Sequence, residues 1–368
     1  MLPFTPAEAA RAGLVIDAVF GAGLARDLAP AIAAVLAAGA RLVAIDTPSG
    51  IDGATGAARG TAPHAELTVT FFRLKPGHLL LPGRLHCGTT ILADIGLPAA
   101  VLGRIRPASF ANSPALWTLP APAADSHKYR RGHVTVLGGA VMTGAAILAA
   151  GAARRTGAGL VSIAAPDPVA GTIYRAAAGA GTLVTEATLS ALLADPRRTV
   201  WVCGPGLGGA AAMAALPALL AAGRQVVVDA DALTACAGRP EALRGAAVLT
   251  PHAAEFARVF GASGPDRPAA VRAAARRTGA VVLLKGADTI IAAPDGRAAI
   301  NANAPPWLAT AGAGDVLAGM VAGLLGQGMA AWEAAAAAAW WHGAAARHVG
   351  AGLLAEDLPP ALAATRPA

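Results

Sequence analysis

Trp307-Leu308-Ala309-Thr310-Ala311-Gly312-Ala313-Gly314-Asp315-Val316-Leu317-Ala318-Gly319 reads as a small-residue turn that runs into a helix, with an acid in its first turn and an apolar stretch behind it. A helix N-terminus presents backbone N–H groups that have no partner within the helix. Such a turn therefore offers bare donors to the charge on a transferring phosphoryl group. Asp315, beside them, can orient or deprotonate an attacking hydroxyl. An acid that merely complements the helix dipole would explain Asp315 alone, but not the motifs that accompany it.

Working outward, Leu283-Leu284-Lys285-Gly286-Ala287-Asp288-Thr289 ends a strand on a lysine. The only lysines are Lys75, Lys128 and Lys285, in a chain that otherwise uses arginine. Each falls inside a motif, which suits a compact ammonium on a phosphate or a packed aliphatic stem. Upstream lie Val228-Asp229-Ala230-Asp231-Ala232-Leu233 and Leu249-Thr250-Pro251-His252-Ala253-Ala254-Glu255. Acids at a strand's C-terminal end sit where open α/β sheets place their ligands. His252 and Glu255 can share a face of a starting helix, and Thr250 with Glu255 reads equally as a helix cap. Val202-Cys203-Gly204-Pro205-Gly206-Leu207-Gly208 follows a strand and opens a helix, where its N–H groups suit an anion or simply make a turn. His127-Lys128-Tyr129-Arg130-Arg131-Gly132-His133 leads into a strand ending at Gly138-Gly139, where backbone can approach a ligand or a helix closely.

Short apolar runs recur between Ala-rich helical stretches: Leu14–Ile16, Leu42–Ile45, Thr68–Phe71, Val134–Leu137, Leu160–Ile163, Thr199–Val202, Val226–Val228 and Val281–Leu284. Strands apolar on both faces that alternate with helices predict an α/β fold with a parallel-rich sheet covered by helices. The stretch Leu97–Ser126, rich in Pro, Ala and Ser, carries no strand pattern and is read as the joint between two domains.

At 368 residues the chain is long enough for two domains, and 55% hydrophobic with 14% charged residues excludes disorder. The net charge of +7 does not indicate nucleic acid, because the arginines are scattered singly or in pairs without interleaved aromatics. An anionic small substrate suits that balance better. Cys87, Cys203 and Cys236 are few, odd in number and widely spaced, as expected of reduced thiols in the cytoplasm. No signal-peptide pattern opens the chain, and the run Ala334 to Trp341 is too short to span a bilayer. A cytoplasmic enzyme acting on small molecules, without membrane or nucleic-acid partners and assembled as a homo-oligomer, is expected.

Taken together, HKYRRGHVTVLGG, GAGLV (157–161), GPGLG, VVDADAL, LTPHAAEF, LKGADT and NANAPPWLATAGAGDVLAG resemble the ADP-dependent NAD(P)H-hydrate dehydratases of the ribokinase-like superfamily, in order from His127 to Asp357. The resemblance implies dehydration of the S epimer of NADHX or NADPHX to the reduced cofactor, with ADP giving AMP and phosphate. It also implies Mg²⁺. Carried over by motif, Lys285, Gly286, Ala287, Asp288, Thr289 and Gly314 would contact the adenine nucleotide. Gly208, His252 and Asp315 would contact the hydrated nicotinamide nucleotide, with Asp315 as the base. Where the family often shows PHxGE and GGTGD, this chain has PHAAE and GAGD, which keep the histidine and the aspartate. This domain is expected over residues 120–366.

Residues 14–96 resemble the later part of an NAD(P)H-hydrate epimerase domain, a partial Rossmann-like α/β unit expected within 1–110. The stretches that carry this are VIDAVFGAGL, IDTPSGIDG and LKPG. By resemblance Asp17 and Ser49 match K⁺ ligands, while Gly21, Ala22, Gly23, Leu24, Ala25, Arg26 and Asp27, with Asp46, match substrate contacts. The family's Asn-rich phosphate loop has no counterpart, since the only asparagines are Asn112, Asn301 and Asn303. The chain opens within what would be an internal part of that domain, so its epimerase activity is expected to be lost. Two rival readings are a ribokinase-superfamily kinase for a vitamin precursor, which would use the same GxGD turn, and a non-catalytic nucleotide-binding protein.

Overall fold

The apolar runs of the first hundred residues form a small parallel sheet: β1 (Val15–Asp17), β2 (Leu42–Ile45), β3 (Leu67–Phe71) and β4 (Thr89–Ala93), in that spatial order. Leu28, Leu36, Leu42 and Ala44 make its core. β4 lies at one margin with Ile91 and Leu92 exposed, and its apolar part, Ile91–Ala93, is only three residues long. The computed structural model describes residues 3–367 and divides into two units, one reaching to Ala111 and taking in Gly264–Pro268, the other comprising Asn112–Ser263 and the chain from Ala269 onward.

The boundary between the units falls inside the stretch read as the joint, but that stretch also holds a helix, Val101–Ile105, and a short strand, β5 (Ser109–Ala111), which corrects the expectation that it carries no strand. Three residues are too few for periodicity to register.

The second unit follows the α/β expectation. Its strands are β6 (His133–Leu137), β7 (Leu160–Ala164), β8 (Thr182–Thr185), β9 (Val200–Cys203), β10 (Gln225–Val228), β11 (Val248–Leu249), β12 (Val281–Leu284), β13 (Thr289–Ala292) and β14 (Ala298–Asn301). They run in the order β14-β13-β12-β11-β10-β9-β6-β7-β8. All pairings are parallel except β12 with β13 and β13 with β14. β6, β9 and β12 are buried along their whole length, as strands covered on both faces must be.

Parallel strands bring all their C-terminal ends to one edge. The Gly138-Gly139, Gly204–Gly208, Asp229, Thr250–Glu255 and Lys285 motifs therefore gather there, each directly after β6, β9, β10, β11 or β12. The helix Ala313–Gly326 packs on the helix Thr143–Arg155, and a Cβ at Gly319 would collide with the Ala149 backbone. Small residues let that helix approach closely and deliver its N-terminus to the same edge. Among the described residues no helix is long and apolar enough to cross a membrane.

Candidate active site

At the C-terminal edge of the second sheet, the Lys285 ammonium donates to Asp229 Oδ1 at 2.7 Å and lies 3.9 Å from Glu255 Oε2. Burial alone would push this ammonium down, but the Asp229 and Glu255 carboxylates outweigh it and hold Lys285 above its ordinary value. A charged lysine is thus fixed at the end of β12. Gly314 packs over it, close enough that an added Cβ would lie 3.2 Å from Nζ. The strand-end lysine and the GxGD turn are in contact.

Gly312 adopts a left-handed φ of 88° as the N-cap of the helix Ala313–Gly326, a conformation that glycine takes without strain. Half-buried in the first turn, Asp315 has its carboxyl pushed up to about 6, by burial first and then by the charge of Asp229, with Asp231 and Glu255 adding to it and Lys285 opposing. A carboxylate tuned toward neutrality in the first turn of a helix has the properties of a general base.

His252 is itself the N-cap of the helix Ala253–Phe260. Its Nδ1 accepts the Ala254 N–H at 3.1 Å, while the His252 N–H donates to Glu255 Oε2 at 2.9 Å. The cap expected of Thr250 and Glu255 therefore belongs to His252 and Glu255. Thr250 is buried and its hydroxyl donates to the Val228 carbonyl at 3.3 Å. The Gly208 N–H donates to Asp231 Oδ2 at 2.8 Å, tying the glycine-rich turn after β9 to the acid after β10. Gly286–Thr289 is a tight turn closed by Thr289, whose hydroxyl donates to the Gly286 carbonyl at 2.8 Å. Gly286 and Ala287 stand exposed at its tip, while Asp288 and Thr289 are buried. Lys128 is not brought to this edge, because it precedes β6 and so lies at the opposite end of the strands, its ammonium over the Tyr129 ring.

In the first unit, Phe20, Gly21, Gly23, Leu24, Ala25 and Arg26 line a cavity of about 430 Å³. Asp46 borders the same loop, accepting the Ala22 N–H at 3.0 Å and the Thr70 hydroxyl at 2.9 Å, and pairing with Lys75. Its φ of 69° is left-handed, a strained backbone of the kind held at functional positions. Burial alone would raise Asp46, but the bonds from Lys75, the Ala22 N–H and Thr70 hold its carboxyl below the ordinary value. His78 accepts the Lys75 N–H on Nδ1 and donates from Nε2 to the Asp46 carbonyl at 2.8 Å. Asp17 and Ser49 meet each other: Ser49 donates its hydroxyl to Oδ1 at 2.6 Å and its N–H to Oδ2 at 2.7 Å. Asp27 is not among the residues lining the cavity.

Residues 134–367 match the sequence pattern of the NAD(P)H-hydrate dehydratase family, and residues 3–77 match that of the YjeF-related protein N-terminus. The chain belongs to the NAD(P)H-hydrate dehydratase family. A bifunctional NAD(P)H-hydrate repair enzyme of Mycobacterium tuberculosis is 44% identical over 335 residues, spanning 88% of this chain and 67% of that one. An ADP/ATP-dependent NAD(P)H-hydrate dehydratase of Bacillus subtilis, co-crystallised with ATP and Mg²⁺, is 29% identical with a TM-score of 0.60 over 67% of this chain and 93% of that one. A ribokinase-like superfamily protein of Enterococcus faecalis shares the fold, at 24% identity and a TM-score of 0.62 over 70% of this chain and 95% of that one. The fold is thus α/β and ribokinase-like in the second unit, preceded by a YjeF-type unit, as the motifs implied.

Within this dehydratase-family site, two features escape the sequence motifs. Asp231 orients the Gly208 turn, and the pairing of Lys285 with Asp229 spans 56 positions of chain. Thr70, Lys75 and His78 around Asp46 likewise carry no motif of their own beyond Leu74-Lys75-Pro76-Gly77.

Proposed function

We propose that this chain dehydrates the S epimer of NADHX or NADPHX to the reduced cofactor, coupled to conversion of ADP to AMP and phosphate. The observation that carries the reading is Asp315, raised toward neutrality in the first turn of a glycine-rich helix that packs on the buried Lys285 ammonium. Asp315 takes the proton of the substrate's ring hydroxyl, and that oxygen bonds to the β-phosphorus of ADP as AMP departs. Loss of the new phosphate together with a neighbouring ring proton then restores the double bond.

Lys285, Gly286, Ala287, Asp288, Thr289 and Gly314 hold the adenine nucleotide, Gly286 and Ala287 through the exposed tip of their turn. Gly208 and His252 hold the hydrated nicotinamide nucleotide. Asp229, Asp231, Glu255 and Asp315 set four carboxylates against the one Lys285 ammonium, so a diphosphate needs further positive charge here. Among the described residues no group of three or more His, Cys, Asp or Glu side chains could cage a metal. Mg²⁺ is held mainly by phosphates and water, with only one or two protein carboxylates. When bound it would neutralise charge on the transferring phosphoryl group.

In the first unit, Gly21–Asp27 and Asp46 are assigned to the same hydrated nucleotide. Asp17 and Ser49 form an all-oxygen pair of the chemistry a hard alkali cation such as K⁺ takes. The test is recovery of reduced nicotinamide, followed by its near-ultraviolet absorbance, from mixed NADHX epimers with Mg²⁺ and either ADP or ATP. Recovery with ADP that is absent in Asp315→Ala supports the reading. No recovery with either nucleotide sinks it.

A further inference from the structure

Lysine and arginine outnumber the acids by 29 to 22, yet the C-terminal edge of the second sheet sets Asp229, Glu255 and Asp315 against the single Lys285 ammonium. Unpaired positive charge gathers instead at the opposite edge, where the parallel strands β6, β7 and β8 begin. There Arg131, Arg154 and Arg155 line a cavity of about 590 Å³, together with Gly181, Pro359 and Pro360. Arg131 precedes β6, Arg154 and Arg155 end the helix Thr143–Arg155, and Gly181 leads into β8.

No acid lines this cavity. The neighbouring Arg130 pairs with Asp125, and Arg175 with Glu186, but among the described residues none of the three cavity guanidiniums meets a carboxylate. Arg154 reaches the Thr182 hydroxyl at 3.5 Å and lies over Gly181, where an added Cβ would collide with its guanidinium. Basic residues in a last helical turn complement the helix dipole, which accounts for Arg154 and Arg155. It does not account for Arg131, which lies in a turn outside that helix. Like charges around one cavity repel, and an anion seated among them replaces that repulsion with attraction. Planar guanidinium forks match phosphoryl oxygens two at a time, and three of them suit a diphosphate better than a lone carboxylate. The cavity has room beyond the diphosphate, and Pro359 and Pro360 give it an apolar wall.

We propose that this cavity is a binding site for a diphosphate, separate from the Lys285–Asp315 edge, with Arg131, Arg154 and Arg155 on the phosphoryl oxygens and Pro359-Pro360 beside the group attached to them. The site stands on its own charges and does not depend on the dehydratase reading. Inorganic pyrophosphate and a nucleoside diphosphate share the chemistry it selects.

The experiment is calorimetric titration of the full chain with pyrophosphate and, separately, with UDP in low-salt buffer. It compares wild type, Arg131→Gln, Arg154→Gln, Arg155→Gln and Arg258→Gln. Arg154 and Arg155 are exposed, so the fold does not depend on them, and Arg258 is an exposed arginine that does not line the cavity. Each cavity substitution should weaken binding by about tenfold or more, the usual share of a hydrogen bond to a charged group. Arg258→Gln should leave the affinity unchanged. Tighter binding of UDP would identify an organic diphosphate, and pyrophosphate bound as tightly or more so would identify the inorganic anion; either result supports the site. Failure of both probes to bind, binding that Arg154→Gln and Arg155→Gln do not weaken, or an equal loss in Arg258→Gln would each overturn it.

Discussion

Each unit sets one lysine against one aspartate beside the C-terminal ends of its parallel strands, and the two pairs differ in what surrounds them. Lys75 and Asp46 have side chains 27% and 23% exposed, beside a cavity. Lys285 and Asp229 are 19% and 1% exposed, with Glu255 behind them. In the first unit the pair is partly exposed beside the cavity, and Asp46 holds a left-handed backbone. In the second, the pair is buried and the GxGD turn packs on it, which leaves Asp315 as the carboxylate that the proposed reaction uses. The same two residue types therefore make a partly exposed contact in one setting and a buried foundation in the other.

The largest expected effect separates support from chemistry. Asp315→Ala should lower ADP-driven turnover of the S epimer by roughly 10²- to 10⁴-fold, the usual share of a general base, with ADP affinity nearly unchanged. Calorimetric ADP binding beside a turnover assay would show it, and a loss of affinity matching the loss of rate would recast Asp315 as a nucleotide ligand. Next comes the contrast between the pairs in stability. Lys285→Met leaves Asp229 buried and unpaired and should cost about 3–5 kcal/mol, whereas Lys75→Met should cost no more than about 1 kcal/mol. Urea unfolding of both variants checks this. Equal costs would mean that the second pair is as hydrated as the first.

Much of this could be read from the chain. Runs such as Val134–Leu137 and Val281–Leu284 are buried on both faces, so apolarity alone marks them, and the glycine and acid motifs that follow such strands mark the functional edge. The strand β4 was harder to read that way, because at the margin of the sheet its apolar run is only Ile91–Ala93 and none of it is buried. The role of Asp231 could not be read from the chain. Asp231 acts on a backbone N–H 23 positions away. Asn112, Asn301 and Asn303 were legible only as missing from one loop, whereas their side-chain bonds to carbonyls of the single helix Ala331–Val349 exist only in the folded chain.

A smaller effect sharpens the assignment of Asp315. If the ionised carboxylate takes the substrate proton, kcat/KM should fall about tenfold per pH unit below about 6 and level off above it. A profile flat down to about pH 4, the ordinary aspartate range, would mean that the burial of Asp315 does not reach its chemistry.

The smallest effect tests the cost of keeping that base. A carboxyl raised from 3.8 to about 6 binds its proton more tightly in the folded chain than in the unfolded one. Its contribution to stability is therefore present below the unfolded value and lost as the pH rises through about 6. Above that, an ionised Asp315 works against folding. Asp315→Asn, which keeps the shape and removes the charge, should then be inactive yet more stable than wild type by on the order of 2 kcal/mol at pH 8, a figure reduced for the partial exposure of the group. The gain should shrink toward pH 5, since wild type is protonated there too. Thermal melts of the two proteins at both pH values decide it. A gain that ignores pH would trace to packing, whereas one that vanishes on acidification would show that the fold bears a standing cost to hold its base near neutrality, a cost the hydrated Asp46–Lys75 pair does not impose.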